Sequence, residues 1–408
     1  MIEITQDTAQ KFIIEEQGLG ITKSFKDVHE AAKEIHNIQI DTISVVARSQ
    51  DLILFNRLTE YQEKDVWLWQ KEKKLFEYWS HAMCLMPYEE YPFYAWKMEY
   101  YNQNVHTWYK KWEEKNPTTL ERVYKYVKKN GPTASADFKR ETEKKSEGWW
   151  DWKKEKMALE CLFMKGKLLV SHRNNFQKTY DLVENVVPNH IDTEPMSEEL
   201  LPNYITKTIF GSIGIGNGQE LKTYLGKAAT KHLWKGNKKT IENHLKDCVK
   251  NDLLIEAKIE GIDEPQYLLK EKEAIVDMLP DKNYENSRVK FLTPFDNITR
   301  ERSYPEKIWN FNYKIECYVP VPKRIFGYFA LPILDGFELI GKADLKAHRK
   351  KEILEVKALA FEDGIKLDEA RVERLSNGFR EFARFNGCNS TEIASSVQKS
   401  ISNKLSLS

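Results

Sequence analysis

Two polar side chains of complementary chemistry, Gln39 and Asp41, stand two residues apart with Ile40 between them. A carboxylate can stabilise a developing positive charge and orient or deprotonate a water. A carboxamide beside it can hold that water without adding a second negative charge. The two cooperate only if both face the same way, as they do in an extended segment and do not in a helix. The stretch Ile38 to Ile43 alternates β-branched residues with Gln39 and Asp41, which favours the extended form. Taken alone, the tripeptide also suits a turn or cap after a helix, which is the commoner use of Asp there.

Other chemistries find less support. Five cysteines (Cys84, Cys161, Cys248, Cys317, Cys388) are scattered, odd in number and without a CxxC pair, so the sequence reads as reduced, mostly buried thiols. No HExxH occurs among the nine histidines, and no metal is expected. The start MIEITQDTAQ has no basic or apolar stretch, and no run of 18 apolar residues follows, so the expectation is a cytoplasmic protein. The net charge of +1 conceals a gradient: residues 1–100 hold 11 Lys and Arg against 17 Asp and Glu, whereas residues 101–180 hold 18 against 10. A basic middle segment with interleaved Trp and Tyr suits a polyanion, although charge runs also simply keep a face wet.

The elements that must position these residues can be read from periodicity. Residues 24–37 predict a helix capped by Ser24 and ending near Asn37, immediately before the tripeptide. Residues 117–130 begin with Pro117, place Leu120, Val123, Tyr124 and Val127 on one face, and run into Gly131-Pro132. A second helix starting at Thr133 or Ser135, a third after Trp149-Trp150-Asp151-Trp152, and the β segment KLLVSHR complete the order of a winged helix. Residues 198–280 predict a second module of this kind, closed by the alternating strand LLIEAKIEGI. Beyond about 284 the pattern changes to strands (VKFLTP, YKIECYVP, IFGYFALPILDGFELIGKADL, EILEVKALAFE) and a helix over Leu367–Phe385. The fold class is therefore α+β, with tandem winged-helix domains followed by a β-rich C-terminal domain. Boundaries fall at 1–115, 116–195, 196–283 and 284–408.

Four tracts carry a resemblance. IQIDTISVVARSQDLILFNRL, YWSHAMCLMPYEEYPFY, the WWDWKKEKMALECLFMKGKLLVSHR block and the stretch from FLTPFDNITRERSYPEKIW to LIGKADLKAHRK together resemble the YcaQ-like tandem winged-helix DNA glycosylases. The likeness runs from about residue 20 to 385, with the tracts in the family's order. It implies removal of alkylated purines, chiefly N7-alkylguanine, and unhooking of interstrand crosslinks, by a monofunctional enzyme without a cofactor. Of two branches, Gln-hydrophobic-Gln and Gln-hydrophobic-Asp, the sequence Gln39-Ile40-Asp41 resembles the second.

On that reading Asp41 stabilises the sugar cation and activates water, and Gln39 positions it. A crosslinked guanine cannot swing freely into a closed pocket, so the site is expected to be an open basic cleft on double-stranded DNA. Arg48, Arg57, Trp79, His81 and Arg173 are the expected DNA contacts. Four of them have a structural counter-reading: an ion pair for Arg48 and Arg57, core packing for Trp79, a cap for His81. Pro294-Phe295-Asp296-Asn297 reads as a turn, and Lys346 and Arg349 are left outside the site. A monomer is expected. The competing class is a non-catalytic winged-helix transcriptional regulator, which the same fold could equally host.

Overall fold

The computed structural model describes residues 1–104, 108–138, 154–223, 227–395, 397 and 405. The chain divides into two compact units, one made of residues 1–62 with 203–408 and the other of residues 63–202. These are coarser divisions than the four segments read from the sequence.

In the contiguous unit, helix Pro117–Asn130 starts on its proline and buries Val123 and Val127. Strand Thr133–Ala134 follows, then helix Lys154–Met164 and a hairpin of strands Leu168–Asn174 and Gln177–Leu182. Thr133–Ala134 pairs with the second hairpin strand, so a strand stands where a second helix starting at Thr133 was expected. Ser135–Asp137 forms a single 3-10 turn, and the rest of the expected second helix beyond Phe138, with the tryptophan cluster 149–152, lies outside the described residues. Asn175 and Phe176 at the hairpin tip both have positive φ, which matches the twist of a tight two-residue turn.

A second hairpin, Leu75–Trp79 with Met83–Pro87, rests on aromatic packing. The Phe76 ring lies 5.4 Å from Tyr94, and Tyr78 lies 5.2 Å from Phe163. At its turn the buried Lys97 donates to the Ser80 carbonyl at 2.9 Å.

In the discontinuous unit, the C-terminal region forms a five-stranded sheet in the order Lys290–Phe291, Ala330–Asp335, Glu338–His348, Ile353–Phe361, Ser390–Ile393. The last pair is parallel, and helix Glu369–Phe385 is the crossover that a parallel connection requires. Its Phe379 and Phe382 rings lie 4.8 and 4.9 Å from Phe291 and close the core over Leu331, Ile333 and Ile340. Residues 313–320 (YKIECYVP) differ from the strand expected of them. The backbone there turns back on itself, because the buried Glu316 accepts hydrogen bonds from the amides of Ile325, Phe326 and Gly327 rather than joining a ladder. The other module of this unit carries helix Lys238–Lys250, capped by Asn237, and a hairpin of Leu254–Ile259 with Gln266–Leu269. The N-terminal strand Ile2–Ile4 extends that hairpin in parallel.

No two of the five cysteines form a disulfide, and four are buried. Among the described residues, no helix is long and apolar enough to cross a membrane.

A buried ion pair in this unit joins Arg57, just past the end of helix Ser49–Phe55, to Asp296. Both side chains are fully buried, and the contact is bidentate at 2.6 and 2.9 Å. Arg57 also donates to the Gln17 carbonyl at 2.8 Å and to the Ile53 carbonyl at 3.1 Å, so little of its donor set is left unsatisfied. Removing one partner strands the other charge. Asp296→Ala is expected to lower the unfolding free energy by about 3–5 kcal/mol, read from the midpoint of a urea or guanidinium transition. A change below about 1 kcal/mol would place the pair among the weak surface bridges instead.

Lys290 donates to the Leu19 carbonyl at 2.8 Å, and burial pulls its ammonium down to about 7 from 10.5. A lysine whose folded value lies below its unfolded one costs stability while it is charged in the unfolded chain. The penalty is full below about 7 and fades as pH rises toward 10.5. Denaturation curves between pH 7 and 10 should show wild type gaining stability with pH, and Lys290→Met should flatten that slope.

Candidate functional site

The tripeptide follows helix Val28–Ile35, which is shorter than the 24–37 expected. Asp27 rather than Ser24 is its cap, accepting from the Glu30 amide at 2.9 Å. His36 ends it in the left-handed conformation at φ 58, turning the chain out of the helix. Ile38–Gln39 is then a strand and residues 40–44 run on without helix. Gln39 and Asp41 thus sit on a non-helical segment, Gln39 buried and Asp41 half-buried.

The segment is held at both ends by residues distant in sequence. Upstream, Asn297 donates to the Ile35 carbonyl at 2.9 Å. Downstream, the Ala347 amide donates to Val45 at 3.3 Å and Arg349 to the Val46 carbonyl at 2.8 Å, while Val46 and Ala47 are part of the sheet core. Pro294-Phe295-Asp296-Asn297 therefore does structural work in a turn, as its composition suggested, and Arg349 supports the segment through the backbone.

Asp41 itself is oriented by two hydrogen bonds. Its Oδ1 accepts from the Ile43 amide two residues on, at 2.7 Å, which fixes the carboxylate plane. Its own amide donates to Gln50 Oε1 at 3.3 Å. Gln50 cannot flip, because its Nε2 donates to Asp51 Oδ2 at 3.1 Å and Asp51 in turn accepts from the Tyr61 hydroxyl at 2.8 Å. Gln50 and Asp51 are both buried in the first turn of helix Ser49–Phe55, and this Tyr61–Asp51–Gln50 chain escaped the sequence reading. Its only sequence signal was Ser-Gln-Asp at a helix start, which reads as ordinary capping.

Desolvation dominates the electrostatics of Asp41 and raises its carboxyl above the usual 3.8, with the Ile43 and Thr42 amides opposing that rise. Beside the carboxylate, its charge reaches Cys317 and Tyr318. A carboxylate held partly out of water by a fixed backbone is a preorganised anion, suited to a cation that develops beside it.

The expected DNA contacts fall into two groups. Arg48 lies at the N-cap of helix Ser49–Phe55, in the same unit as Asp41. Arg57, in that unit too, is fully buried with its guanidinium bound to Asp296. In the other unit, Trp79 ends a hairpin strand and is 40% exposed, and His81 occupies the adjacent turn, its Nδ1 3.9 Å from Cys84 Sγ. Arg173 lies in that unit as well. It is bidentate to the buried Glu77 at 2.6 and 2.7 Å and stacks 4.6 Å from the Phe176 ring, so it fastens the wing to the neighbouring hairpin. Among the described residues, no group of three or more His, Cys, Asp and Glu could hold a metal ion.

The raised Asp41 carboxyl has a thermodynamic signature. Its folded value exceeds its unfolded one, so the charged form costs stability, with no cost below the unfolded value and the full cost above the folded one. Urea titrations across pH 3 to 8 should show Asp41→Asn gaining on wild type as pH rises through that window. A constant difference would mean that the carboxylate is fully hydrated.

The model of the family described as DNA glycosylase AlkZ-like matches residues 33–385, well over half of the chain. Among solved structures, the fold is similar to Streptomyces sahachiroi DNA glycosylase AlkZ at a TM-score of 0.65 and 14% identity, covering 96% of this chain and 100% of that one. At that identity the likeness is one of fold. The α+β class and the β-rich C-terminal sheet agree with the reading of the sequence.

Proposed function

We propose, from the premise that this chain belongs to the AlkZ-like DNA glycosylase family, that it hydrolyses the N-glycosidic bond of N7-alkylated purines in duplex DNA and unhooks interstrand crosslinks. The observation that carries this reading is the Asp41 carboxylate, half-buried, desolvated and fixed by the Ile43 amide, two residues from Gln39. An N7-alkylated guanine is cationic and leaves without being protonated, so the remaining demand is for charge stabilisation at the anomeric carbon and for water. Asp41 meets both, stabilising the oxocarbenium-like state and accepting the proton of the attacking water. Gln39 positions that water or the deoxyribose. The aspartate, where a sister branch has glutamine, extends the range of alkyl and crosslinked purines. No cofactor and no lyase step are required. Arg48, Trp79 and His81 remain the proposed DNA contacts, and Arg57 and Arg173 leave that set because of their buried ion pairs.

The test uses duplexes carrying N7-methylguanine or a nitrogen-mustard crosslink, with alkali to reveal abasic sites. Wild type is expected to score on both, and Asp41→Asn to lose about 10²–10⁴-fold in rate while still binding DNA. Asp41→Gln should retain N7-methylguanine better than the crosslink. Binding to one defined sequence, with no product from either lesion, would overturn the catalytic reading in favour of a regulator. Full activity in Asp41→Asn would overturn only the site.

A further inference from the structure

Asn37 stands two residues before Gln39 and is 2% exposed. Among the described residues, neither its Oδ1 nor its Nδ2 has a hydrogen-bond partner. Other buried amides of this region are tied down. Gln17 donates to the Ser212 carbonyl and accepts from Arg57, Gln50 joins the Asp41 amide to Asp51, and Asn297 donates to the Ile35 carbonyl. A carboxamide taken out of water with both ends idle is a costly group. A leucine of similar volume would fill the same space without that cost.

The turn that carries Asn37 is held from two sides. His36 takes the left-handed conformation at φ 58, and the Asn37 amide donates to the Ile35 carbonyl at 2.7 Å, the same carbonyl that Asn297 reaches at 2.9 Å. Helix Leu201–Ile213 packs against it, so that a Cβ on Gly211 would lie 3.7 Å from His36 Nε2. With its main chain fixed in this way, Asn37 keeps its amide where solvent reaches it least.

The occupant that these two atoms call for must accept from Nδ2, donate to Oδ1 and be small enough for a site almost closed to solvent. Water meets all of these conditions, and it has hydrogen-bonding capacity left over. Gln39 is placed to use it. Alternate residues of an extended chain share a side, so Asn37, Gln39 and Asp41 follow one another on one side while the buried Ile38 and Ile40 take the other. Two residues of strand span roughly 6.5 Å, a gap that a single water closes between two amide side chains.

We propose that Asn37 binds one ordered internal water and shares it with Gln39, which makes Asn37 a positioning residue for Gln39. The water limits rotation of the Gln39 side chain, and the polar face runs from Asn37 through Gln39 to Asp41. The positioning role rests on the reading of the tripeptide as catalytic. The water does not.

A crystal structure of the full-length protein, at a resolution where ordered waters are seen, should show one within hydrogen-bond distance of both Asn37 and Gln39. On duplex carrying N7-methylguanine, Asn37→Leu should lose roughly tenfold to a hundredfold in kcat. KM and duplex affinity should stay within about twofold, because an interaction felt only during reaction is what has been removed. Asn37→Ser, with room for the water and a hydroxyl to hold it, should recover most of the lost rate, and it serves on its own against wild type and Asn37→Ala if the leucine variant does not fold. An amide with a merely structural role would give the reverse pattern, a higher urea midpoint for Asn37→Leu with kcat unchanged. That pattern, the absence of the water from wild type, or a serine variant no faster than leucine or alanine overturns the proposal. A wild type that shows the water yet excises neither lesion overturns the catalytic reading and leaves the water standing.

Discussion

The buried Arg57–Asp296 ion pair is the constraint on which the geometry around Asp41 depends. A charge in a protein interior is tolerated only when its partner and the rest of its hydrogen-bonding capacity are satisfied. Meeting that condition forces the turn at Asp296, the end of helix Ser49–Phe55 and the segment at Gln17 to converge. The neighbouring Asn297 then reaches the carbonyl of Ile35, where the chain leaves its helix for the Gln39-Ile40-Asp41 segment. A bidentate contact is directional as well as strong, so it fixes the orientation of these pieces and not merely their proximity.

From that frame the site takes its character. Asp41 draws its fixed geometry from the Ile43 amide and from a glutamine whose flip state is set by Asp51 and Tyr61. Oriented dipoles of this kind need not reorganise as charge appears beside them. The half-buried position has an opposing effect. It strengthens attraction for a nearby cation and at the same time disfavours the carboxylate's own charge.

Local patterns carried the fold well. The helix over 117–130, the strand at 254–259 and the C-terminal helix were legible because each depends on periodicity and capping within a dozen residues. The tripeptide was visible as a pair of functional groups, and the αL turn at His36 makes its extended course intelligible afterwards. What stayed hidden were pairings over long separations. Arg57 and Asp296 are 239 positions apart and Arg173 and Glu77 are 96 apart, so nothing local shows that either guanidinium is already taken up by a carboxylate. Residues 313–320 alternate like a strand, yet a buried glutamate accepting three amides overrode the pattern. Propensity describes what a segment would do unaided, and here a tertiary contact decided.

The division of the chain has a consequence for its biosynthesis. Residues 63–202 are contiguous and can fold as soon as they leave the ribosome, whereas the other unit needs residues 1–62 to wait for residues 203–408. Asp41 is made early, but Asp296, Asn297 and Arg349, which set its frame, are translated hundreds of residues later. A nascent chain that ends before Asp296 therefore carries Gln39-Ile40-Asp41 without the contacts that hold the segment.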